Sequence, residues 1–292
     1  LGNETITRRS EREMYDLILK VADSLPEVLA VGLNGSRTNK NVPADDFQDF
    51  DIVFVVGDTE KLIADQSWLT AFGEILASQQ PEAMELFPAE LAPRYTFLMQ
   101  FTDGWRIDLM LTPLSVVKTW LQEDRLLKVL SDPNHLLGEI PEASDEQYWV
   151  TAPTEQMFHD CCTEFWWVAT YVVKGLARDE YFYAVDHFSQ NVLGELRRLF
   201  RWQIGLLTDF SLSVGKNDKY FKNYLPKETM DQLAALHDFS SLQKISDHLI
   251  ATEKLFLKVS RQLAVDFHFS FDEKTAQDVL SYTKTILKKA DL

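Results

Sequence analysis

The chain has 292 residues, 46% of them hydrophobic, with 29 basic against 45 acidic side chains and a formal net charge of −16. That length and apolar content suffice for two packed domains and exclude a disordered chain. An acidic balance of this size argues against an extended nucleic-acid partner, whose phosphates are bound by Lys and Arg, and fits either a cationic partner or a surface charged for solubility.

No apolar segment approaches the ~18–20 residues needed to span a bilayer, and the first residues lack a signal-peptide core. The expectation is a soluble cytoplasmic protein with no membrane partner. Residues 1–9 carry no pattern and read as a tail. Ser10-Glu11-Arg12-Glu13 is a capping box that opens a helix with Met14, Leu17, Ile18 and Val21 on one face, and Pro26 ends it. An apolar strand, Val28 to Leu33, then feeds a small turn, Gly35-Ser36-Arg37. After eleven further residues, Asp49-Phe50-Asp51 opens a second apolar strand that runs to Val56.

Residues two apart on a strand share a face, so Asp49 and Asp51 project together while Phe50 and Ile52 point the other way. Two adjacent carboxylates repel unless a cation lies between them. Hard oxygen ligands, with an upstream Gly-Ser turn whose backbone N–H groups can approach phosphate, suggest Mg²⁺ carrying a nucleoside triphosphate. An isolated Asp-x-Asp is as readily the polar end of an edge strand, and the Gly-Ser turn weighs for the metal. Here the apolar strand follows the aspartates, unlike haloacid-dehalogenase phosphatases and many glycosyltransferases, where it precedes them. The order resembles that of the nucleotidyltransferase superfamily. Asp45 and Asp46 fall too early in the connecting loop to share that face.

Gly57-Asp58 is a turn, and the next helix is expected over Trp68 to Ala77. The alternating run Arg94 to Phe101, the Asp103-Gly104 turn and the return run Trp105 to Leu111 read as a hairpin. On the return strand Arg106, Asp108 and Met110 share a face, which makes Asp108 the expected third carboxylate. It would complete an acidic cage for the metal and take a proton from an attacking hydroxyl; Glu85 is the next candidate. Arg106 is either a salt-bridge partner or a surface residue and stays unassigned.

From Pro153 the period changes from two to 3.6. Thr154 can cap a long helix with Phe158, Cys161, Cys162, Phe165, Ala169, Val172, Val173 and Leu176 as its apolar stripe. The adjacent Cys161 and Cys162 are poor disulfide partners and too few for zinc, so both are expected as buried thiols. Glu164, Trp167, Tyr171 and Lys174 form a second stripe. An acid between aromatics suits a cation with a ring body, or else these side chains pack on a neighbouring helix. The following helix, Glu180 to Leu206 with Asp179 as its cap, is expected to turn Phe182, Val185, Ser189, Val192, Leu193, Leu196 and Phe200 inward. Asp186 falls at the edge of that face and would need a buried Arg or His, or a ligand. A loop with Lys216, Lys219 and Lys222 either reaches a triphosphate or is a solvated basic patch. Helices over Lys227 to His237, Ser241 to Val265 and Asp272 to Lys289 finish the chain.

With these residues in place the chain resembles the aminoglycoside 6-adenylyltransferases that modify streptomycin. Gly-Ser-Arg, Asp-Phe-Asp and Arg-Ile-Asp-Leu specify the superfamily only. More specific are Glu-Phe-Trp-Trp-Val-Ala-Thr-Tyr-Val-Val-Lys-Gly-Leu, Ala-Val-Asp-His and Phe-Ser-Leu-Ser-Val-Gly-Lys in the second half. The resemblance implies an α+β protein, with a nucleotidyltransferase mixed-sheet domain over residues 1–150 and a helical substrate-binding bundle over 151–292. It also implies ATP, Mg²⁺ and a cationic aminoglycoside in a cleft between them. By motif, Asp49, Asp51 and Asp108 are the expected metal carboxylates, and Gly35 and Ser36, with Arg37, the phosphate-binding turn. Lys216 and Lys219 for the nucleotide, and Glu164, Trp167, Tyr171 and Asp186 for the acceptor, rest more on the helical-face reading. Two other readings stay open: another hydroxylated acceptor (a different aminoglycoside, a lincosamide or a metabolite), or a nucleotide-binding relative without turnover.

Overall fold

In the computed structural model of the chain, which describes residues 8–292, the capping box at Ser10 is formed. Ser10 Oγ accepts from the Glu13 N–H, and the Glu13 carboxylate accepts from the Ser10 N–H. This cap opens α1 (Glu11–Asp23), whose Met14, Ile18 and Val21 are buried. Residues 1–7 of the patternless start lie outside the described residues.

Six strands follow: β1 (Val28–Asn34), β2 (Phe50–Val56), β3 (Ile75–Gln79), β4 (Tyr95–Phe101), β5 (Arg106–Pro113) and β6 (Leu127–Ser131). They form one mixed sheet in the order β3-β4-β5-β2-β1-β6, antiparallel throughout except where β2 and β5 run parallel. Period-two alternation divides the two faces. Phe50, Ile52, Phe54 and Val56 join Ile107, Leu109 and Leu111 beneath α1. Val53 and Val55 pack on the opposite face with Val117 and Trp120 of α3 (Val117–Glu123). At Gly32 a Cβ would stand 2.5 Å from the Trp120 ring, so the absence of a side chain lets the indole lie on β1. From there Trp120 Nε1 donates to Asn34 Oδ1 (3.0 Å), at the last residue before the Gly-Ser turn.

One local expectation is corrected here. The helix expected over Trp68 to Ala77 is a 3₁₀ turn, Ser67–Phe72, and then β3; Gly73 at φ 124° breaks the helical course and Ile75–Gln79 pairs with β4 instead. A short helix not expected there, α2 (Thr59–Ala64), is capped by Asp58, which accepts from the Lys61 N–H.

The chain divides between Gln147 and Tyr148 into two compact units, the second wholly helical in its regular structure. Its first helix, α4 (Glu155–Ala177), is capped by Thr154, which accepts from the Met157 N–H. The whole expected stripe from Phe158 to Leu176 is buried, Cys161 and Cys162 included. Both thiols are free, and burial pushes both up, Cys162 to about 12. The helix expected over Glu180 to Leu206 is α5 (Tyr181–Asp186), a π turn (His187–Val192) and α6 (Leu193–Leu207). A π turn adds a residue to the helical repeat, so a face projected backward across it comes out of phase. Hence Phe182, expected inside, is 79% exposed, whereas Ala184 and Phe188 are buried. Asp179 is not the cap: it sits at φ 59°, and Glu180 holds the cap position without a side-chain bond. Helices α7 (Lys227–Ala235), α8 (Leu242–Phe267) and α9 (Glu273–Lys289) complete the fold, the last two capped by Ser241 and Asp272. The architecture is therefore α+β, a mixed-sheet unit followed by a helical one. No described helix is long and apolar enough to cross a membrane.

Candidate active site

The parallel pairing of β2 with β5 sets Asp51 directly against Asp108. Neighbouring strands lie about 4.8 Å apart, so two same-face side chains in register are adjacent. Asp49 lies two residues before Asp51, on the same face. All three aspartates are thus gathered by two strands and one register. The field they make is visible at Asp51. Burial first, then the charges of Asp108 and Asp49, push its carboxyl up to about 6, against the pull of Arg106 and Arg37.

Gly35 is fitted to this carboxylate. Its φ is +73°, and a Cβ there would stand 2.2 Å from Asp51 Oδ2, so only glycine lets the turn lie against the aspartate. Its N–H donates to the Leu126 carbonyl on the β6 side (3.0 Å), fixing the turn between β1, β2 and the start of β6. Ser36 follows in a short 3₁₀ turn, Gly35–Thr38, which Thr38 tightens by donating to the Gly35 carbonyl (2.8 Å). Arg37 departs from the expectation for it. Its guanidinium turns inward, donating to the carbonyls of Asp49 (2.9 Å) and Gln48 (2.7 Å) and to Glu11 (2.7 Å), and it lies over the Phe50 ring at 3.9 Å. With its side chain 4% exposed, Arg37 ties the Gly-Ser turn to the Asp49 loop.

Arg106, unassigned from sequence, stands among the aspartates. Its Nε and Nη2 donate to Asp108 Oδ1 and Oδ2 at 2.7 and 2.9 Å, and Nε lies 3.7 Å from Asp49 Oδ2. Among the described residues no three His, Cys, Asp or Glu side chains converge as a metal site. The donor set nonetheless fits a hard divalent cation. The donors on offer are carboxylate oxygens on one face, their shared field is strong enough to raise Asp51, and Arg106 already stands among them. Glu85 is exposed in the segment before β4. Asp45 is exposed too, accepting from the Phe47 N–H.

A cavity of about 400 Å³ opens beside Asp51 and Asp108, with Thr96, Leu98, Met110, Trp120 and the Arg94–Glu123 ion pair in its walls. Thr96 Oγ1 is buried there without a partner. Sequence reasoning did not find this pocket, because its walls come from β4, β5, α3 and the preceding loops, and no motif spans them.

In the helical unit Glu164 and Trp167 are exposed on α4, and Tyr171 and Lys174 are half-buried. Trp167, 61% exposed, donates its Nε1–H to Tyr171 Oη at 2.8 Å. Lys174 Nζ lies 4.4 Å from the Tyr171 ring centre, and His187 of the π turn meets the same ring edge-on. Trp167 stands exposed, whereas Tyr171 also packs on the helical core and on His187. Glu164 lines a separate small cavity with Asp160, Glu195 and Trp202, a grouping hidden from sequence because it crosses from α4 to α6. The placement of Asp186 at the edge of a buried face is corrected: the π turn rotates it into solvent, where it needs no buried Arg or His and is open to a ligand. Lys216 and Lys219 are exposed on a turn held by the buried Asp218, which accepts from Arg201 at 2.5 and 2.9 Å and lies 3.5 Å from Arg197.

A glycine turn against paired strand aspartates on a mixed sheet defines a nucleotidyltransferase. The comparisons with known proteins narrow that class. The streptomycin adenylyltransferase family matches residues 8–286. An aminoglycoside 6-adenylyltransferase of Campylobacter jejuni is 41% identical over 279 residues, 94% of this chain and 96% of that one. One from Bacillus subtilis (strain 168) is 37% identical over 279 residues, 95% and 98% of the two chains. A crystal structure of an aminoglycoside 6-adenyltransferase from Bacillus subtilis, 34% identical, covers 95% of this chain and 98% of its own with a TM-score of 0.47. The chain belongs to the streptomycin adenylyltransferase family and is a nucleotidyltransferase enzyme.

Proposed function

We propose that the enzyme transfers the adenylyl group of ATP to a hydroxyl of an aminoglycoside, the 6-hydroxyl of streptomycin, with release of pyrophosphate. The observation that carries the chemistry is the Asp51–Asp108 register on β2 and β5, with Asp49 beside it and Gly35 against Asp51. The acceptor is supported by the relatives' names and by the net charge of −16, which suits a polycationic substrate.

In this reading Asp49, Asp51 and Asp108 hold Mg²⁺, which supplies charge neutralisation for the triphosphate and the expelled pyrophosphate. The Gly35-Ser36 turn receives phosphate oxygens. Asp108 takes the proton of the acceptor hydroxyl on a carboxylate oxygen as that hydroxyl attacks the α-phosphorus in line. Lys216 and Lys219 contribute positive charge to the leaving group. Glu164, Trp167 and Tyr171 receive the cationic, ring-bodied acceptor, by charge and by aromatic faces. Residues 1–150 thus carry the chemistry and 151–292 the acceptor recognition, in the cytoplasm where ATP is at hand.

Pyrophosphate release measured across streptomycin, other aminoglycosides, lincosamides and small hydroxylated metabolites tests this. Streptomycin should give the highest kcat/KM. A better lincosamide or metabolite would move the acceptor class, and silence across the panel would indicate a nucleotide-binding relative without turnover.

A further inference from the structure

Arg106 lies two residues before Asp108 on β5, so strand alternation places both on the face that carries Asp49 and Asp51. Its guanidinium is forked onto both oxygens of Asp108 and reaches toward Asp49 at 3.7 Å. We propose that Arg106 is the resident counter-cation of the three aspartates and competes with the divalent ion for Asp108. The inference rests on the metal reading given above and concerns what must happen before the metal can be held.

Two observations support the competition. The fork takes the in-plane acceptor positions of both Asp108 oxygens, which a metal bound there would also use. Arginine does not deprotonate in proteins, so Arg106 can yield only by moving. Its side chain is 41% exposed, which leaves it room to swing away from the face. Arg106 is thus a positioning residue. It keeps the aspartates from repelling one another before loading and gives up Asp108 when the metal arrives.

The test is metal binding without nucleotide, on the full chain, read as free Mn²⁺ by electron paramagnetic resonance. R106Q should bind Mn²⁺ about three- to tenfold more tightly than wild type, the scale of one lost part-exposed ion pair of good geometry. R106K, which keeps the charge without the fork, should fall between the two. In wild-type protein the Arg106 Nε–H resonance, assigned through R106K, should shift when Mg²⁺ is added, and this holds as a test even if R106Q does not fold. Unchanged or weaker Mn²⁺ binding by R106Q, or an Arg106 resonance unmoved by saturating Mg²⁺, each overturns the proposal. If wild type binds Mn²⁺ and D49N loses it, the metal reading stands whatever Arg106 does. If neither wild type nor R106Q binds, both fail.

Discussion

The carboxyl of Asp51 is held well above its ordinary range because it is buried beside two like charges, so this residue carries an energetic cost in the metal-free protein. Asp49→Asn and Asp51→Asn should each abolish turnover while leaving the fold intact, since in the proposed reading each removes a metal ligand and none of the core contacts. In EDTA, Asp51→Asn should unfold at higher urea than wild type, by about 1 kcal/mol of relieved repulsion. Near-normal kcat in either variant at ordinary Mg²⁺ would remove them from the metal site. Asp108 differs because ligand and base are separable roles. If it acts chiefly as base, Asp108→Asn should lower kcat by roughly 10²–10⁴-fold while Mg·ATP binding is nearly kept. Calorimetry with a non-hydrolysable ATP analogue, run beside steady-state kinetics, reads the two apart; a parallel loss of nucleotide affinity would make Asp108 chiefly a ligand.

At the scale of elements, the Gly35-Ser36 turn is held from behind by α3. Trp120 is 2% exposed, lies on Gly32 and donates to Asn34, the residue before Gly35. Trp120→Ala should cost about 3–5 kcal/mol, the usual range for emptying a buried aromatic site, and should raise KM for ATP as the turn loosens. Urea unfolding beside ATP kinetics checks both effects. Neither the Trp120–Gly32 contact nor the Trp120–Asn34 bond was legible, because the residues are 86 or more apart and follow no period. What was legible followed a regular repeat. The β2 face was read from Asp49 and Asp51, the hairpin from Asp103-Gly104, and the α4 stripe from Phe158 to Leu176. Where the repeat was interrupted the reading failed. Ile75–Gln79 is an edge strand with only Ile75 half-buried and so offers no alternation, and the π turn moved Phe182 and Asp186 off their projected faces.

Across the whole molecule the helical core carries a carboxyl that the chemistry does not use. Glu253 on α8 is fully buried; Thr283 on α9 donates to its Oε1 (2.6 Å), and Oε2 has no partner. Burial pushes it up to about 8, against the Thr283 bond and the charge of Lys284. A carboxyl with a raised folded pKa keeps its proton in the native state after the unfolded chain has lost it. Its contribution is therefore fully present below about 4.5 and is lost progressively as pH rises to about 8, with no further loss above. Glu253→Gln should stabilise the protein at pH 8 by about 2–4 kcal/mol and have little effect at pH 4.5. Chemical denaturation of both proteins across that range checks the sign. An increase of wild-type stability relative to the variant as pH rises would contradict it.

The central claim, that the carboxylates gathered by β2 and β5 move an adenylyl group onto an aminoglycoside, is tested most directly by mass spectrometry of streptomycin incubated with ATP, Mg²⁺ and protein. Wild type should convert the antibiotic to a species heavier by one adenylyl group attached at the 6-hydroxyl, with Asp51→Asn or EDTA leaving it unmodified. Unmodified streptomycin with active wild-type protein, or equal adduct from Asp51→Asn, would contradict the account.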